Sequence, residues 1–224
     1  MRIKDKRAVL NILVQDDLAD ILHQLAAMPA AAIINPLFSG ICHANQVVHW
    51  HAITAMGAAL ARLADEDMEK ARIVMRRFMW SLNDESGGIG WGAPESMAEA
   101  MRRHQRLAEE YCHILVAFMR EEGFYLEHPP LQHGLLWGIG RLAETRHELL
   151  LQKGADLYLP PYLKEQDERV RGLAAYALAS LASKRACQQL RNLTGIPRYV
   201  SIYCPEQDRH LDINLHSCID KRCP

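Results

Sequence analysis

The segment Val170-Arg171-Gly172-Leu173-Ala174-Ala175-Tyr176-Ala177-Leu178-Ala179-Ser180-Leu181 reads as one amphipathic helix. Three earlier segments can be laid on it: Val48–Leu60, Met97–Arg106 and Leu131–Leu142. With Leu178 set against Met56, Met101 and Ile139, the apolar positions agree throughout. Ala174, Ala177, Leu178 and Leu181 match Ala52, Ala55, Met56 and Ala59, then Met97, Ala100, Met101 and His104, then Leu135, Gly138, Ile139 and Leu142. This is the i, i+3, i+4, i+7 stripe of a helix with one buried face. The aligned residues lie 45, 38 and 39 positions apart (56→101→139→178). A recurring unit of about 40 residues, too long for one helix, has the length of a helix-pair repeat of the HEAT or armadillo kind. The expected fold is all-α, a right-handed superhelix of about four such pairs.

The text between these segments supplies the partner helices. Asp16–Met28, with Leu18, Ile21, Leu22 and Leu25 on one face, would cap the open end of the array and stop at Pro29. Ala30–Ile41 would pair with Val47–Leu63, with Asn35-Pro36 a place for a kink or a split. Met68–Leu82 follows the acidic run Asp65-Glu66-Asp67, which favours a helix N-terminus. The linker Asn83–Ala93, rich in glycine, accounts for the longer first spacing, and Pro94 opens a helix running to about Leu107. Glu109–Glu122, Leu131–Thr145, Glu148–Tyr158 and Asp167–Ala182 complete the pairs, followed by a short helix, Ala186–Leu193. Beyond Gly195 the text turns β-rich at Tyr199–Tyr203 and Leu211–Leu215, which predicts a small C-terminal β-hairpin. The chain thus divides into a superhelix over residues 1–196 and a cysteine-containing tail over 197–224.

Val170–Leu178 and His133-Gly134-Leu135-Leu136-Trp137-Gly138-Ile139-Gly140 resemble the second helix of HEAT-like repeats, in the superfamily that includes the phycobilisome-lyase type. The resemblance covers roughly residues 30–183. Such arrays serve as scaffolds, adaptors, lyases and DNA-repair enzymes, so the resemblance implies an architecture and leaves the activity open.

Composition narrows the choice. The 224 residues are 49% hydrophobic and 24% charged, with a formal net charge of −1, an ordinary soluble balance. There is no basic excess of the kind a nucleic-acid binder carries, so that partner is not expected. No apolar run approaches the roughly 18 residues of a membrane-spanning helix. The short apolar stretch Ala8–Val14 is followed at once by Asp16-Asp17, unlike a secretory signal. Cys42 and Cys112 sit singly in helical text, as reduced thiols of a cytoplasmic protein would.

Three groups of residues are candidates for function. At 100° per residue, Trp50, Thr54 and Gly57 lie opposite the buried stripe. The matching positions are Glu95, Glu99 and Arg102, then His133, Trp137 and Gly140, then Gly172, Tyr176 and Ala179. Second helices generally line the concave side of such arrays, so this face is expected to be open and to recognise a partner. Trp50 and Trp137 have the alternative of packing under the glycine-rich loop or against neighbouring helices. That loop, with Asp84, Glu85 and Trp91, is the second candidate. Together the two favour a protein partner, basic or amide-rich opposite Glu95, Glu99 and Asp84, or else a small ligand. An enzyme reading would use Glu95, Glu99 and His133 for acid–base work in a lyase or hydrolase. No nucleophile or cofactor motif accompanies them, and Gly88-Ile89-Gly90-Trp91-Gly92 lacks the strand a dinucleotide loop needs. The third candidate is the tail set Cys204, His210, His216, Cys218 and Cys223, of which Cys204, His216, Cys218 and Cys223 have spacings open to zinc or an iron–sulfur centre. Free thiols or a disulfide are the alternatives. The reading that combines these is a protein-interaction scaffold rather than an enzyme, with no required cofactor.

Overall fold

The computed structural model describes residues 3–83, 90–191 and 195–223. Among them twelve α-helices, one 3-10 helix and one two-stranded antiparallel sheet follow in order. This is the expected all-α, helix-pair class with a small C-terminal hairpin. The chain separates into two compact units, residues 1–107 with 205–208, and residues 108–204 with 209–224.

In the first unit the helices are α1 (Ile3–Leu13), α2 (Leu18–Ala26), α3 (Ala30–Ile41), α4 (Gln46–Glu66), α5 (Met68–Asn83) and α6 (Ala93–Arg103). Their starts are written in short polar side chains. Asp17 accepts from the amides of Ala19 and Asp20, Asn45 from those of Val47 and Val48, and Asp67 from those of Glu69 and Lys70. Each satisfies donors that no helical carbonyl can reach. Pro36 lies inside α3 without splitting it. The helix expected to run to Leu107 is broken at His104, whose backbone is extended (φ −134°, ψ 117°). The break is capped by the histidine itself: its Nδ1 accepts from the Leu107 amide at 3.3 Å, opening α7 (Gln105–Ala117). The N-terminal helix α1 had no counterpart in the sequence reading.

α4 is the centre of this unit, packing against α1, α2, α3, α5 and α6. Ala52, Ala55, Met56 and Ala59 are buried as the stripe requires. So is the opposite side, where Trp50 is 6% and Thr54 1% exposed. Gly57 allows α6 to come this close, since a Cβ there would stand 2.6 Å from Glu99 Cβ. His51, also in α4, places one ring nitrogen 2.9 Å from the Leu13 carbonyl and the other 2.9 Å from Asp208 Oδ1.

The second unit contains α8 (Pro129–Gln152), α9 (Ala155–Tyr158), the 3-10 helix Pro160–Lys164, α10 (Glu168–Leu181) and α11 (Lys184–Arg191). The hairpin β1 (Tyr199–Cys204) and β2 (Arg209–Asn214) follows, then α12 (Leu215–Arg222). α8 is two helical stretches joined across a kink at Arg146, between the expected end at Thr145 and the expected start at Glu148, and its second stretch stops at Gln152 rather than at Tyr158. The hairpin pairs Tyr199 with Asn214 and Cys204 with Arg209. α12 was not foreseen; it starts where Asn214 caps the Ser217 amide and buries Leu215 and Ile219. α10 is central here, against α8, the 3-10 helix, α11, α12 and β1. An element surrounded in this way needs apolar or small residues on every side.

Candidate interaction surface

The residues expected to form an open face are buried. Besides Trp50, Glu95 is 7%, Glu99 0%, Trp137 3% and Tyr176 3% exposed. In the first unit, Glu99 pairs with Arg103 one turn on, at 3.4 Å. In the second unit, Trp137 donates its indole N–H to the Tyr203 carbonyl of β1 at 3.0 Å. The Tyr176 hydroxyl donates to Glu144 Oε1 at 3.2 Å, and Arg141 donates to Glu144 Oε2 at 2.6 Å. The helix face that the sequence offered to a partner is therefore taken, in the second unit, by the chain's own C-terminal strand and helix. His133 is partly open, its Nε2 lying 3.2 Å from Asp167 Oδ1. Burial lowers the His133 pKa against the pull of Asp167, which favours the neutral ring. Asp84 and Glu85 fall outside the described residues.

A cavity of about 410 Å³ remains in the second unit beside this network, lined among others by Arg141, Tyr176, Tyr203, Cys204, Cys218 and Arg222. Burial raises the pKa of the Cys218 thiol at its edge. The tail residues with spacings open to a metal are divided between two surroundings. Cys223 is bonded to Cys187, 36 residues earlier, and among the described residues no three His, Cys, Asp or Glu side chains stand where they could hold one ion. Cys204 on β1 and Cys218 on α12 line one cavity, while Cys223 at the end of α12 is tied to α11.

An exposed surface of a different character lies on α5. Its inner stripe, Ala71, Val74, Met75, Phe78 and Leu82, is buried. Ile73 and Trp80, seven residues apart and so on one outer face, are 55% and 75% exposed. Arg76 and Arg77 stand exposed between them, with Lys70 exposed and Arg72 half-buried on the same helix. Against these four cations α5 carries one acid, Glu69, which pairs with Arg76 at 2.7 Å and Arg72 at 3.3 Å. Those guanidinium groups hold the Glu69 carboxyl below its ordinary pKa. Arg77 is fixed from below, donating to Asn35 Oδ1 at 2.6 Å with its guanidinium 3.6 Å above the Phe38 ring. Trp91, just before α6, is 38% exposed. Trp80 was missed by the sequence reading, although its place off the Ala71–Phe78 stripe is the signal that marks it.

No protein-family model matches the chain, and no curated protein matches it in sequence. Among solved structures, an engineered protein is similar over 99% of this chain and 96% of its own, at 14% identity and a TM-score of 0.52. A second engineered protein is similar over 100% of this chain and 98% of its own, at 16% identity and a TM-score of 0.50. A designed armadillo repeat protein in complex with a (KR)4 peptide is similar over 82% of this chain and 85% of its own, at 18% identity and a TM-score of 0.44. At these identities the likeness is one of fold. The phycobilisome-lyase type rests on the sequence resemblance alone. No helix among the described residues is long and apolar enough to cross a membrane.

Proposed function

We propose that this chain is a protein-interaction module, a helix-repeat adaptor rather than an enzyme, and that its first unit takes a partner segment on the outer face of α5. One observation carries the reading: Trp80 and Ile73 stand 75% and 55% exposed on a helix whose other charged residues are four cations and one acid. A tryptophan left this open is costly to solubility unless something covers it, and Trp and Arg together are the residue types that dominate interface energetics. The charge around it selects the partner. An acidic segment with an apolar anchor would pair its carboxylates with Arg76 and Lys70 while its anchor covers Trp80. This reverses the basic partner expected from Glu95 and Glu99, because those carboxylates are buried.

The experiment is a selection of displayed helical peptides on the full chain. Binders are expected to be rich in Asp and Glu around one or two large apolar residues, and to lose binding to Trp80→Ala and to Arg76→Glu. Basic binders, or binders indifferent to both substitutions, would overturn the reading. So would a concentration-dependent dimer abolished by Trp80→Ala, which would make a second copy the occupant.

A further inference from the structure

The disulfide between Cys187 and Cys223 lies in a hollow whose charged side chains are all of one sign. Lys184, Cys187 and Arg191 come from α11, Arg222 and Cys223 from the end of α12, and Ala182 and Gln188 complete the lining. Among the described residues no carboxylate side chain lines this hollow, which measures about 630 Å³. Lys184 and Arg222 make no ion pair with any described residue; Arg222 donates to the neutral Ser180 hydroxyl at 2.6 Å. Arg191 donates to the Cys223 carbonyl at 3.3 Å, which keeps its guanidinium at the bond. The two sulfurs are not equally open. Cys223 is 4% exposed, whereas Cys187 is only partly covered. Cys223 and Arg191 also line a second hollow, with His216 and Asp220, which Cys187 does not reach. The approach to Cys187 is thus by way of the cations.

From this arrangement we propose that the Cys187–Cys223 bond is an exchange site for small anionic thiols, which reach it through the Lys184, Arg191 and Arg222 hollow. Exchange needs a thiolate, and a cationic rim both concentrates an anionic thiol and favours its ionised form. The thiolate attacks Sγ of Cys187, the more exposed sulfur. A new S–S bond forms there as the Cys187–Cys223 bond breaks, and the electron pair leaves on Cys223 Sγ, whose charge Arg222 and Arg191 offset. A second equivalent of thiol then attacks the mixed disulfide at its small-molecule sulfur, releasing the small disulfide and Cys187 as thiolate. Two thiols are oxidised, the protein bond gains two electrons, and both cysteine thiolates take protons from water. With the bond open, the end of α12 keeps the Arg191–Cys223 hydrogen bond as a polar tie to α11, while Leu215, Ile219 and the Arg222–Ser180 hydrogen bond hold the helix to the rest of the unit, so the site also sets how firmly α12 is tied to α11.

The test is a rate comparison on the full-length oxidised chain with three thiols of one size: mercaptoethanesulfonate, mercaptoethanol and cysteamine, carrying negative, no and positive charge. At equal thiolate concentration and low salt, the anionic thiol is expected to open the bond on the order of tenfold faster than the cationic one, the scale that focused surface potentials produce. The advantage is expected to shrink toward unity at high salt, and in Lys184→Gln and Arg222→Gln. The trapped adduct is expected on Cys187 by peptide mass spectrometry. Equal rates, a faster cationic thiol, or adducts confined to Cys204 and Cys218 with the Cys187–Cys223 bond intact would overturn the proposal. The salt series needs no variant, so misfolding of Arg222→Gln would leave the test standing.

Discussion

Trp137 and Tyr203 are joined by a hydrogen bond in which the α8 indole donates to the β1 carbonyl at 3.0 Å, with the indole 3% exposed. The bond ties the C-terminal strand to the helix face that the sequence offered to a partner. Trp137→Phe keeps most of the apolar area and removes the donor, which is expected to cost about 1–3 kcal/mol, the range for a buried partner lost. Trp137→Ala adds a cavity and is expected to cost about 3–5 kcal/mol. Urea midpoints of the two variants check the difference. A neutral Trp137→Ala would mean that the hairpin is not seated there.

The helical glycines Gly57 and Gly140 should resist the substitution that usually stabilises helices. A Cβ at Gly140 would stand 2.5 Å from Tyr176 Cε1, and one at Gly57 would stand 2.6 Å from Glu99 Cβ and 2.9 Å from its backbone carbon. In an open helix Gly→Ala gains about 1 kcal/mol. Here overpacking is expected to turn that into a loss of about 1–3 kcal/mol, larger at Gly57, where a helix backbone has to move. Thermal melts of Gly57→Ala and Gly140→Ala below wild type confirm the close packing; either variant melting higher contradicts it.

Stability should fall on mild acidification. Burial lowers the pKa of His49, His133 and His210 from the ordinary 6.5. The unfolded chain therefore binds more protons than the folded one once pH drops below that value, and stability is lost as pH falls from 6.5 through the folded pKa values. Above 6.5 these groups contribute no slope. The acids with lowered pKa, Asp67, Glu69 and Asp167, act only in the carboxylate range below this window. The melting temperature is expected to be flat between about pH 7 and about pH 8 and to decline toward about pH 5, less steeply in His133→Gln. A melting temperature that rises on acidification would contradict the assignment.

Asp167 serves three groups at once. Its Oδ1 accepts from the amides of Arg169 at 2.8 Å and Val170 at 3.0 Å while lying 3.2 Å from His133 Nε2. Asp167→Ala is expected to cost about 1–2 kcal/mol through the lost cap of α10, and Asp167→Asn much less because its amide oxygen still caps. Denaturant titrations separate the two; equal losses would shift the weight from the cap to the charge.

The repeat was legible because its core is periodic. All four aligned stripes proved buried apart from His104, which sits at a helix junction rather than in the core. Helix starts were legible where Asp or Asn supplies the cap. What misled was the assumption that the second helices have one solvated face. Small residues on that face, Gly57 and Gly140 among them, were the sign of close packing on both sides, and α4 and α10 are enclosed accordingly. The pairing of the tail was not legible, for a different reason. The partner of Cys223 is Cys187, brought near by the path of the chain between them, and no local spacing encodes such a pairing. Trp80 was legible too, as a large apolar residue off the Ala71–Phe78 stripe of its helix.

The most direct test of the interaction reading is a binding titration of the full chain with two designed helical peptides. Both carry the same leucine stripe, one with glutamate and one with lysine at every solvated position. The acidic peptide is expected to bind and the basic one not. Trp80→Ala is expected to weaken the acidic peptide by about 2 kcal/mol, a loss of roughly thirtyfold, while shifting stability by less than about 0.5 kcal/mol. Preference for the lysine peptide, or equal affinity of wild type and Trp80→Ala for the acidic one, would contradict the account.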